Sequence, residues 1–170
     1  MTKHNSESGR TMLEMLGVLA IMGVIMYGAI AGIGFGVNMY KINATFNEAE
    51  ELCQGIIDLY SWRQGYPEAS NIVTAVVNND VLSGAKAVGA ASIDAPFGEF
   101  TIAPMQEDSP EHYSRFAVII NGLPQIACSR LQVMSFANME VVQQGDPSFD
   151  AVGCTTNCDS DPGYVCLVLR

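Results

Sequence analysis

At 170 residues the chain has room for one domain and an appended segment. Its formal net charge of −10 argues against a general nucleic-acid binder. Lys3 and Arg10 balance Glu7 and Glu14, so the whole acidic excess falls on residues 41–170, a surface that repels phosphate backbones and anionic lipid headgroups. Hydrophobic residues make up 49% of the chain, odd for an acidic soluble protein, and the excess is concentrated in one block near the start.

Residues 1–9 are polar and contain no apolar stretch for an ordinary signal peptidase to read. From Met15 to Met39 no residue carries a formal charge. As a helix this run is about 37 Å long at about 1.5 Å per residue, more than a hydrocarbon core of about 30 Å, so residues 15–39 read as a membrane span. A conventional secretory signal has a shorter apolar core followed by a small-x-small cleavage site, whereas here the polar leader comes first and ends in Gly9. Glu14 stands at the first turn of the span, where a carboxylate is costly unless compensated. Either it lies hydrated at the membrane interface, favoured by the positive helix N-terminus, or it meets a positive group. A cut after Gly9 would create such a group, the α-amine of Arg10, which a neighbouring subunit can present to Glu14 in the lipid. Gly28, Gly32 and Gly36 recur every fourth residue, with Ala29 and Gly34 alongside. They either open one face to close approach by another helix or reflect the general frequency of glycine in membrane helices.

Gly9-Arg10-Thr11-Met12-Leu13-Glu14, followed by Met15-Leu16-Gly17-Val18-Leu19-Ala20-Ile21, closely resembles the type IV prepilin signature. The resemblance implies that prepilin peptidase cuts between Gly9 and Arg10 on the cytoplasmic side, that the new N-terminus at Arg10 is methylated, and that Glu14 orients subunits in a growing fibre. The best-known members begin their mature chain with phenylalanine or another apolar residue, and this sequence has Arg10 there. The implied organisation is a leader over residues 1–9, a transmembrane and polymerisation helix over 10–40, and a globular pilin head over 41–170. The implied partners are further copies of the chain in a helical filament, prepilin peptidase and the inner-membrane pilus assembly machinery. The implied location is the bacterial inner membrane before assembly and an extracellular pilus, or fimbrium, afterwards.

Beyond the span, Ile42, Phe46, Ala49, Leu52, Cys53, Ile56, Leu59 and Tyr60 recur three and four apart among acidic residues, the pattern of an amphipathic helix. With no proline before Pro67, one helix is expected from about Thr11 to about Trp62. Tyr66-Pro67 ends it. Ile72 to Leu82 reads as a short helix with Ile72, Val73, Val76, Val77 and Leu82 near one face, and Ser83 to Ala95 as an irregular loop. Asp94-Ala95-Pro96-Phe97-Gly98 marks a turn into a strand over Glu99 to Ala103. Further strands are expected around Arg115 to Ile120, Met139 to Gln143 and Tyr164 to Leu169. Pro124 to Ala137 reads as helical, with Ile126, Leu131, Met134 and Phe136 as core candidates. The fold class is α+β: a long N-terminal helix, half membrane-spanning and half amphipathic, packed on an antiparallel sheet. The resemblance implies the type IV pilin fold.

Of the five cysteines, Cys128, Cys154, Cys158 and Cys166 lie in the C-terminal part, where an exported domain forms one or two disulfides. Cys53, on the amphipathic helix beside Leu52 and Ile56, reads as a buried free thiol. In a cytosolic protein Cys154 and Cys158 would read as half a zinc site, but no second close pair completes four ligands. Ala95-Pro96-Phe97-Gly98 is similar to the turn before the first strand in the type IVb pilins, the group that includes thin pili of conjugative systems. That resemblance implies a disulfide between Cys128 and Cys158, with Cys154 and Cys166 as alternative partners.

Nothing around His112 forms a nucleophile elbow or a cysteine-protease signature, so His112 reads as a solvated surface histidine. No glycine-rich phosphate loop follows a strand. Asp159-Ser160-Asp161-Pro162-Gly163, with help from Asp150, offers carboxylates for calcium but lacks the spacing of an EF-hand loop and reads as an ordinary turn. The expectation is therefore a structural protein with no catalytic residue, cofactor or metal: the subunit of a filament used in adhesion, motility or conjugation. The alternatives are a type II secretion pseudopilin and a membrane-anchored binding protein that never polymerises.

Overall fold

The computed structural model describes residues 7–63, 65–109, 112–143 and 154–169. The chain divides into two compact units, Met1–Tyr40 and Lys41–Arg170. One helix, α1 (Glu7–Tyr60), contributes to both. It starts earlier and stops slightly sooner than the sequence suggests, within the usual fraying of helix ends.

In the second unit α1 is amphipathic. Ile42, Ala49, Leu52, Cys53, Ile56 and Tyr60 are buried along one stripe, with Phe46 and Leu59 at its margins. Thr45 falls on the same stripe and is fully buried, because its hydroxyl donates to the Lys41 carbonyl four residues back at 2.9 Å and needs no other partner. α2 (Ala69–Asn78) buries Ile72, Val73 and Val76. It stops before Leu82, contrary to the helix expected through that residue. Asp80 adopts φ 51°, and the amides of Asp80 and Val81 donate back to the carbonyls of Val77 and Val76 at 3.3 and 3.1 Å. This is a Schellman ending with aspartate in the position glycine usually takes. Leu82 reaches the core from the following loop.

The sheet has five antiparallel strands in the order β1-β2-β3-β5-β4: β1 (Ser92–Asp94), β2 (Glu99–Ser109), β3 (His112–Leu123), β4 (Met139–Val141) and β5 (Gly163–Leu169). β1 lies inside the stretch expected to be loop. Three residues give no alternation to detect; what defines the strand is its pairing, with Ile93 opposite Phe100 and both fully buried. Ala95 and Gly98 exchange both backbone hydrogen bonds, 3.0 and 3.2 Å, so Pro96-Phe97 is a two-residue hairpin turn between β1 and β2. Gly98 is required there: a Cβ would stand 2.5 Å from the Asn121 carbonyl oxygen of β3. β2 runs well past Ala103. Pro104, which argues against a strand in sequence, falls beyond the reach of β1, where β2 is an edge and proline is tolerated.

Alternation along the strands makes two buried faces. Phe100, Ile102, Phe116, Val118, Ile120, Val165 and Leu167 form one face; Phe116 packs on Tyr66 (ring centroids 4.8 Å), and Tyr66 on Tyr60 of α1 (6.0 Å). The other face places Met105, Ala117, Cys166 and Val168 against Val142 and Cys154 of the C-terminal segment. α3 (Gln125–Leu131) is half the length expected. Past Leu131 the amides of Val133 and Met134 donate three residues back instead of four, and the helix tightens into turns. The buried face of α3 is Ala127, Cys128 and Leu131, which leaves Ile126 a third of a turn away and 67% exposed; Ile126 is not a core residue.

Candidate assembly helix

The apolar part of α1, residues 15–39, is built mainly from Met, Leu, Ile, Val and Ala, favourable or tolerable helix formers, with six glycines and single Tyr27, Phe35 and Asn38 among them. It contains the one described helix long and apolar enough to cross a membrane, with a mean hydropathy of 2.2 over its most apolar window, none of which is buried. The exposed large apolar side chains from Met12 to Tyr40 range from 49% exposed at Val37 to 79% at Tyr27. Such a continuous surface far exceeds the few hundred Å² of contiguous apolar patch that a soluble monomer leaves open.

Gly28, Gly32 and Gly36, with Gly17, Gly23 and Gly34, share one property: a Cβ added at any of them meets nothing within 4 Å. The head glycines differ. Gly55, Gly98, Gly122 and Gly163 each stand where a Cβ would collide with a neighbour. Close packing therefore explains these four head glycines and none of the six in the apolar part of α1. Glu14, exposed, lies about five turns before Gly32 at about 3.6 residues per turn, which puts it on the face of the glycine row. Gly9 and Arg10 fall within α1, and the Arg10 side chain lies outside the described residues.

In the head, the four C-terminal cysteines form two disulfides. Cys128 of α3 is bonded to Cys158 (Cα–Cα 5.4 Å), the pair the resemblance implies, and Cys154 is bonded to Cys166 of β5 (Cα–Cα 5.5 Å). Both cysteines of the zinc alternative are thereby engaged. Cys53 is free and buried; its thiol is pushed up to about 12, first by burial and then by the Glu50 carboxylate, which makes it inert at neutral pH. Asp159 and Asp161 sit in a turn closed by the Asp159 amide donating to Asn157 Oδ1 at 3.0 Å and the Ser160 hydroxyl donating to the Pro162 carbonyl at 3.1 Å. Among the described residues no three His, Cys, Asp or Glu side chains are grouped to hold a metal ion. Asp150 and the side chain of His112 lie outside the described residues.

No protein-family model matches this sequence, and the search of curated proteins returns no match. Among solved structures, the chain is similar to the crystal structure of a type IVb pilin from Salmonella typhi, with 12% identity, a TM-score of 0.49, and coverage of 74% of this chain and 97% of that one.

Proposed function

We propose that the chain is the structural subunit of a type IV pilus-like filament. The observation that carries this reading is the exposed apolar length of α1 from Met12 onward, with a row of glycines that no other described residue approaches. Lipid satisfies the apolar surface, but a row of uncovered glycines gains nothing from lipid and is suited to a second helix. In this reading prepilin peptidase removes residues 1–9 between Gly9 and Arg10 and the Arg10 amine is methylated. Residues 15–39 hold the subunit in the bacterial inner membrane, and the assembly machinery packs Gly28, Gly32 and Gly36 against neighbouring helices. Glu14 then leaves water for a low-dielectric bundle, where an unpaired carboxylate is strongly unfavourable and one paired with a neighbour's Arg10 amine specifies register. The two disulfides suit an extracellular filament serving adhesion, motility or conjugation, and weigh against a pseudopilin that stays beneath the cell surface.

The test compares wild type with Glu14→Val. Intact-mass measurement of membrane-purified wild type should show loss of Met1 to Gly9. The variant should be processed and inserted normally, since a costly group is gone, yet yield no filaments in the sheared fraction. Wild-type filament yield from Glu14→Val overturns the pairing, and retention of residues 1–9 favours an uncleaved membrane-anchored binding protein.

A further inference from the structure

The head carries a second feature, which rests on none of the assembly reading. α1 and the segment after α2 close on each other at Gly55, whose missing side chain admits Val81; a Cβ there would collide with the valine. Beside that contact the surface opens into a groove of about 740 Å³, a volume typical of small-molecule sites. Gln54 and Asp58, one turn apart on α1, line one side, Asn79 at the end of α2 lines the other, and Trp62 stands beyond the last turn of α1.

Trp62 is the single tryptophan of the chain and is 76% exposed, although its ring is among the most favourable to bury. The Arg63 guanidinium lies 5.1 Å from its centroid and 5.4 Å from that of Tyr60. The polar groups are held in position by the protein itself. Asn138 Nδ2 donates to Gln54 Oε1 at 2.7 Å, and Gln54 Nε2 donates to Asp58 Oδ1 at 2.9 Å. Asn79 Nδ2 donates to the Ala75 carbonyl at 2.7 Å. This leaves Asp58 Oδ2 and Asn79 Oδ1 as oriented acceptors, with Arg63 as donor, around an aromatic plate.

That combination selects among ligand classes. A cationic ligand would meet the like charge of Arg63, which already lies over both rings. An anionic one would meet Glu51 and Asp58 on the groove wall. A pyranose suits these groups: its face of C–H bonds stacks on the open indole face opposite Arg63, and its vicinal hydroxyls both donate to planar carboxylate or amide oxygens and accept from a guanidinium. We infer that this groove binds a neutral saccharide, with Trp62 as the stacking platform and Asp58 and Asn79 as the hydroxyl acceptors.

Because Trp62 is the only tryptophan, its emission reports on this site alone. The full chain, held in a zwitterionic detergent without a sugar headgroup, is titrated with maltotriose, cellotriose, chitotriose and lactose. The same measurement is made on Asp58→Asn and Asn79→Ala, whose thermal midpoints are checked against wild type because both positions are exposed. The expected result is a saturable change in emission with at least one of these sugars, weakened tenfold or more in Asp58→Asn. No saturable response to any of the four overturns the inference. So does an equal response from Asp58→Asn, or a response to a lysine-rich peptide that exceeds every sugar, which would assign the groove to a cationic protein segment. The measurement needs no filament, so its outcome is independent of whether the chain forms filaments.

Discussion

Glu48 shows how single residues on α1 answer to the rest of the head. Burial raises its carboxyl above the ordinary value of 4.5, and the carboxylates of Asp94 and Glu51 raise it further. The folded state therefore holds this proton more tightly than the unfolded one. Stability contributed by the group is full below about pH 4.5 and falls as pH rises through the raised folded value, the reverse of a salt-bridged carboxylate. Glu48→Gln should have a thermal midpoint equal to wild type near pH 4 and above it at pH 7. A difference that does not change with pH would show that ionisation of Glu48 is not its cause. The position carries no signal in sequence: Glu48 and Glu51 are visible as helix neighbours, but Asp94 joins them only through the β1–β2 hairpin.

Among the elements, α3 separates what periodicity can and cannot reveal. The apolar residues of the longer helix expected there, Ile126, Leu131, Met134 and Phe136, admit several helical faces, and the buried face of α3 holds Cys128, whose disulfide turns that side inward. Leu131 is fully buried, so Leu131→Ala should cost about 2–5 kcal/mol in chemical unfolding. Ile126→Ala should change stability by no more than about 0.5 kcal/mol, the usual range at exposed positions. Comparable losses in the two variants would mean that Ile126 is covered in the folded protein. α1 is the opposite case: its buried stripe was legible nearly residue for residue because a long helix repeats the same pattern over many turns. β1 was illegible because three residues repeat nothing.

For the molecule as a whole, the C-terminal segment is held by two cross-links, of which Cys154–Cys166 lies on the sheet face lined by Met105, Ala117 and Val168. The disulfides span sequence separations of 30 and 12 residues, worth roughly 3–4 and 3 kcal/mol by unfolded-chain entropy. Against the 5–15 kcal/mol total typical of a domain, about 3 kcal/mol is a large fraction. Replacing either pair by alanine should lower unfolding stability by about that amount under oxidising conditions, and reductant should destabilise wild type by more than either replacement. Insensitivity of wild type to reductant would show that the bonds contribute nothing. Composition, the uncharged run Met15 to Met39 and the placement of Glu14 by themselves determined that the chain has an apolar membrane-competent helix continued by an amphipathic one, because those properties are local and repeat along the chain. Only the tertiary structure decided the pairing of Cys154 with Cys166, the β1 edge, the end of α3 at Leu131 and the groove beside Trp62. Each depends on residues distant in sequence meeting across the sheet or between helices, and no periodicity along the chain encodes such a meeting.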